Sequence, residues 1–145
     1  MFSTLRTKKS AKEAAAIISK AVIEHNMACA REGVQMATRA TDAKSAIAAA
    51  EHVVDAVARI MNVAANKVGI KTLQQAAAAS PSAEELAEIV YTAKVIAAVT
   101  YSAAAEALEA AAAEAEAKAA AKAAESSLRR RKGYTRLECR VAAEH

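Results

Sequence analysis

The stretch SPSAEELAEIVYTAKVIAAVTY, residues 80–101, decides the fold. Pro81 stands where the first turn of a helix tolerates proline, because the backbone N–H it lacks has no partner there in any case. Ser82 with Glu85 three residues later forms a capping box, in which each side chain takes up an orphan N–H of the first turn. At 100° per residue, Leu86, Ile89, Val90, Tyr91, Val95, Ile96, Val99 and Tyr101 point in nearly every direction, and the only charges after the first turn are Glu88 and Lys94. A helix apolar all round is surrounded by other helices, so this stretch predicts a helical bundle. It also predicts that a single chain supplies too few partner helices and that copies share the burial.

Toward the C-terminus the helix is expected to run from residue 82 to 131. Between residues 103 and 125 its charges are scattered around the wheel among alanines, a half held by propensity and by i,i+4 pairs such as Glu114 with Lys118 and Glu125 with Arg129. Arg129, Arg130, Arg131 and Lys132 place cations at the negative end of the helix dipole, and Gly133 reads as the stop. Beyond it Thr135, Leu137, Cys139 and Val141 alternate with Tyr134, Arg136, Glu138 and Arg140. That period of two predicts a short extended tail over 134–141, pairing with residues 2–7 or with a neighbouring copy.

Toward the N-terminus, Ile47, Val53, Val54, Val57, Ile60, Met61 and Val68 fall mostly within about 120° of arc, an amphipathic helix over 42–68 with Gly69 as its C-terminal stop. A connector with one or two helical turns follows. Ile17, Ile18, Val22, Ile23, Met27 and Val34 make another amphipathic helix over 10–33, with Gly33 as its interruption and Thr41 or Asp42 capping the next helix. Residues 1–9 read as a basic arm. The fold class is therefore all-α, an Ala-rich bundle of two or three long helices with short extended ends, in one domain over 1–145.

Composition agrees with this. Alanine occupies 44 of the 145 positions and supplies most of the 54% apolar fraction, while aromatics are 3%. Three glycines and one proline leave too few turn formers for a multi-turn β fold or a Gly-rich nucleotide loop. An alanine core gains little from burial at about 25 cal/mol per Å² of apolar surface, which again points to burial between copies. The most apolar window, 89–105, carries Lys94 and is shorter than the roughly 20 residues of a spanning helix, so no transmembrane span is expected. Cys29 and Cys139 form no spacing motif, and a reducing compartment is the default.

Charge is segregated behind a net +4. Residues 1–12 hold four cations and no acid, residues 126–145 hold six cations against two acids, and the body between is negative. The basic positions Lys8, Lys9, Arg129, Arg130, Arg131, Lys132, Arg136 and Arg140 suit a polyanion, an anionic surface, the acidic body of a neighbouring copy, or simple solvation. His25 and Cys29 share a helix face at i,i+4, but tetrahedral zinc needs further ligands, and His52 and Asp55 lie on the polar side of their own helix. No phosphate loop, HExxH, EF-hand or nucleophile constellation occurs. No cofactor, metal or catalysis is expected. The sequence points to a structural protein that self-associates into an oligomer, filament or shell through Leu86, Ile89, Val90, Ile96, Val99, Val53, Val57 and Ile60. The alternative is a basic-tailed nucleic-acid binding or packaging protein; a third class, a membrane-active helical protein, follows from the tendency of such helices to rearrange at surfaces.

Overall fold

The computed structural model describes the backbone of residues 2–144 and the side chains of residues 11–130. Four helices follow one another: α1 (Phe2–Arg39), α2 (Ala43–Ala58), α3 (Ala64–Ala78) and α4 (Ala83–Glu144). The chain divides into two compact units, Met1–Ala105 and Glu106–His145. The first holds α1, α2, α3 and the start of α4; the second is the remainder of α4.

In the first unit α2 is the central element. Its eight buried residues, Ala46, Ile47, Ala49, Ala50, Val53, Val54, Ala56 and Val57, cover more than one face of the helix. Valines 53, 54 and 57 are fully buried, and each contributes roughly 1.5–3 kcal/mol relative to exposure. Helix α1 runs antiparallel to it. The pairing is fixed at one end by Arg59, whose Nη1 donates to Asn26 Oδ1 at 3.3 Å, and further along by Gly33, which faces Val53, His52 and Ala49. The buried Asn26 amide also donates to the Val22 carbonyl at 2.9 Å, so a polar group in the core is satisfied on both sides. Helices α3 and α4 are likewise antiparallel, joined by Asn66 Nδ2 donating to Thr100 Oγ1 at 2.6 Å and by the approach of Gly69 to Ile96. Helix α4 presents Ile89, Ala93, Ala97, Thr100 and Ala104 to the core, at i, i+4, i+8, i+11 and i+15.

The all-α class holds, and the bundle has four helices where two or three were expected. The expected helix over 42–68 is broken at 59–63. There the Arg59 and Ile60 N–H groups turn back to the Ala56 and Val57 carbonyls, and Asn62 Oδ1 accepts from the Ala64 N–H at 3.1 Å. A short amide side chain bonding the backbone two residues on is a known competitor of the helix ladder. Gly69, expected as a stop, lies inside α3. The expected stop at Gly33 is also absent: α1 continues to Arg39, and the break falls at 40–42, where Asp42 caps α2 by accepting from the Ser45 N–H at 3.1 Å. The start of α4 is as expected at Ser82, whose Oγ accepts from the Glu85 N–H at 3.2 Å, but Pro81, expected in the first turn, precedes this cap and lies outside the helix. Ahead of it Ser80 takes a left-handed φ of 53°, the conformation that reverses the chain after α3.

The expected extended ends are helical. Helix α1 begins at Phe2, so residues 1–9 are not a separate arm, and α4 passes through Gly133 to Glu144, leaving no strand among the described residues and no support for β pairing. Glycine inside a helix costs only about 1 kcal/mol, and Tyr134, Leu137 and Val141 are spaced i, i+3, i+7, which satisfies the helical period as well as the alternation noted above.

In the second unit every described side chain from 109 to 130 is exposed. Among the described residues its ion pairs are the expected ones, Lys118 with Glu114 at 3.2 Å and Arg129 with Glu125 at 3.1 Å. Each adds about 0.2–0.5 kcal/mol, so alanine propensity holds this helix.

The two glycines of the bundle predict opposite outcomes on one assay. A Cβ on Gly33 would lie 2.6 Å from Val53 Cγ2 and 3.3 Å from the Ala49 carbonyl. A buried valine in a helix has one rotamer to offer, so the clash, about 1–3 kcal/mol, outweighs a propensity gain of at most about 1 kcal/mol. A Cβ on Gly69 meets only Ile96 Cδ1, at an ordinary 3.5 Å. Urea denaturation is expected to show Gly33→Ala destabilised, Val53→Ala lessening that loss, and Gly69→Ala stabilised by about 0.5–1 kcal/mol.

Candidate association surfaces

Among the described residues the features that stand out are surfaces. Asn26 and Thr100 are the only buried polar side chains there, and no buried polar side-chain atom is left without a partner. His25 Nε2 and Cys29 Sγ lie 3.7 Å apart as their spacing implies, and no group of three or more metal-ligating side chains occurs among the described residues.

One surface is an open groove of about 890 Å³ between the start of α2, the end of α3 and the first turns of α4. Its floor is aliphatic, with Ile47, Ala77, Ala78, Leu86, Ala87 and Val90, and its rim carries Asp42, Lys44, Glu51 and Gln74. Gln74 Nε2 donates to Glu51 Oε2 at 3.2 Å, tying α3 to α2 across it. The small side chains at the helix ends leave the groove open, because alanine fills little of the space there. Asp42 sits beside the N-terminus of α2. Hydrogen bonds from the Ser45 side chain and backbone N–H hold its carboxyl below the ordinary value of 3.8.

A second surface is the outer face of α4. Opposite the buried row, Tyr91, Val95 and Val99 stand at i, i+4, i+8 with exposures of 71%, 39% and 58%. The third is the first half of α1, where every side chain from 11 to 22 is exposed, Ile17, Ile18 and Val22 among them. Sequence reasoning counted Ile17, Ile18 and Val22 as one stripe with the rest of α1, and it did not anticipate the groove.

The expected association residues divide on the structure. Val53, Val57 and Ile89 are buried within the chain itself; Val90, Ile96 and Ile60 are half-buried; Leu86 and Val99 are exposed. Of the expected basic positions, Arg129 and Arg130 are exposed on α4, and Arg129 is paired with Glu125. The side chains of Lys8, Lys9, Arg131, Lys132, Arg136 and Arg140 lie outside the described residues. One described helix, Ala83–Arg130, is long and apolar enough to cross a bilayer, with mean hydropathy 1.3 over 18 residues, 17% of them buried. Length and composition alone neither bear out nor overturn the expectation of no span.

Compared with models of protein families, with curated proteins and with solved structures, the chain matches none.

The cap at Asp42 makes stability depend on pH. A carboxyl whose folded pKa is depressed contributes stability above its ordinary value and loses it as pH falls through the lowered one. Asn keeps the capping geometry without the charge. Wild type is therefore expected to exceed Asp42→Asn in thermal stability near neutral pH and to converge with it as pH falls through the lowered value; a gap independent of pH would return the shift to geometry alone.

Proposed function

We propose that this chain is a non-catalytic structural protein that assembles from copies of itself into an oligomer, filament or shell. The observation that carries this reading is the exposed row Tyr91, Val95 and Val99 on the face of α4 turned away from its own bundle. Contiguous exposed apolar surface marks an interaction site, whereas single exposed apolar residues need no explanation. A core built largely of alanine also yields less stabilisation per buried residue, so burial between copies adds what the monomer lacks.

Two other readings have specific support. The exposed Arg129 and Arg130, with the basic sequence after them, favour binding of a polyanion. The apolar length of α4 favours insertion into a bilayer. Self-association is preferred because it uses the row on α4 without requiring the bundle's buried face to come apart.

Sedimentation of nuclease-treated protein is expected to show particles larger than the 15.0 kDa chain. Tyr91→Glu with Val99→Glu is expected to reduce their size with helicity unchanged, since neither side chain is in the core. Assembly that disappears on nuclease treatment and returns with added nucleic acid would support the polyanion reading. Flotation of the wild type alone with lipid vesicles would support the membrane reading.

A further inference from the structure

Resting on the reading of the chain as self-associating, we propose that the first half of α1 in one copy docks through Ile17, Ile18 and Val22 into the groove between α2, α3 and α4 of a second copy, joining copies head to tail. Three observations carry this. The first is shape: the groove is an open concavity of about 890 Å³ with an aliphatic floor, while the first half of α1 is a convex helix whose apolar side chains Ile17, Ile18 and Val22 stand exposed. On the helical wheel the three residues span about 140°, and Lys12 and Lys20 bracket them on either side. The long stems of those lysines let their ammonium groups reach a polar rim while the ridge is buried.

The second is charge. Residues 1–22 hold five cations (Arg6, Lys8, Lys9, Lys12, Lys20) and one acid (Glu13), 5 − 1 = +4. The rim of the groove and the first two turns of α4 hold Asp42, Glu51, Glu84, Glu85 and Glu88 against Lys44, 1 − 5 = −4. Complementary sign favours this pairing and opposes α1 on α1, where like charges meet.

The third is topology. A groove does not pair with a groove, so a ridge and a groove on different parts of one chain make a heterologous contact. Each copy then receives one neighbour and enters another, which produces a ring where the rotation closes and a filament where it does not.

The test compares ridge and groove variants of the whole chain, both carrying Tyr91→Glu and Val99→Glu as well, which takes away the α4 row as a second contact between copies. Ile18→Glu with Val22→Glu spoils the ridge and leaves the groove; Ala87→Trp fills the groove and leaves the ridge. All three positions are exposed, so circular dichroism is expected to show unchanged helicity. Each variant alone is expected to lose assembly. An equimolar mixture is expected to form particles of twice the 15.0 kDa chain mass and no larger, because one intact ridge still meets one intact groove. Lys12→Glu with Lys20→Glu, which alters no apolar contact, is expected to move assembly to higher protein concentration, the shift shrinking as salt is added. Wild-type assembly persisting in either apolar variant, or a mixture that stays monomeric, overturns the docking while leaving self-association intact. A wild type monomeric at every concentration overturns both. If Ala87→Trp also abolishes binding of a fluorescent fatty acid to that monomer, the groove is a ligand site.

Discussion

The closeness of α1 to α2 at Gly33 governs the rest of the bundle. With a Cβ position only 2.6 Å from Val53 and 3.3 Å from the Ala49 carbonyl, no larger residue fits there without moving a helix. Ala30 and Ala37, each within two turns of Gly33, are buried to 2% or less, so the seam stays narrow along α1. A narrow seam suits small side chains, and Ala46, Ala49 and Ala50 meet it from α2 with no exposed area. Interiors tolerate few voids; helices that carry alanine achieve native density only by coming this near. The three buried valines of α2 then fill the centre, and α3 and α4 close over them.

The same constraint explains what is left outside. Once small residues occupy the seams, the bundle has little room for large aliphatic side chains, and Ile17, Ile18, Val22, Tyr91 and Val99 remain in water. The groove arises likewise, where Ala77, Ala78 and Ala87 line the helix ends. Exposed ridges and an open cleft are thus the counterpart of an alanine core.

How much of this was legible in the sequence depended on which residues speak with one voice. Ser82 and Glu85 have a single use in that order, and the helix begins where they place it. The valines of α2 keep a helical period, and they form the core. Glycine is ambiguous: Gly33 and Gly69 read as stops, but both lie inside helices, and only at Gly33 does a near neighbour leave no room for a Cβ. Asn62 looked like one more polar residue on a solvent face, yet its side chain accepts from the Ala64 N–H, the first of α3. Leu137 and Val141 fit periods of two and of 3.6 equally, so alternation alone could not settle the tail. Of the association surfaces, the apolar excess in α4 was visible in the sequence. Which residues face outward was not, because a helix apolar on all sides carries no sign of which side its neighbours take.

An alanine core also shapes how the fold responds to temperature. The heat capacity of unfolding rises with the apolar area exposed and falls with the polar area. Unfolding this bundle uncovers methyl groups and a full complement of peptide units, with few long aliphatic chains or aromatic rings to offset them. Its heat-capacity increment per residue is therefore smaller than that of a leucine-rich bundle, and its stability curve is broader and flatter. Cooling removes less from such a fold, and warming erodes it gradually.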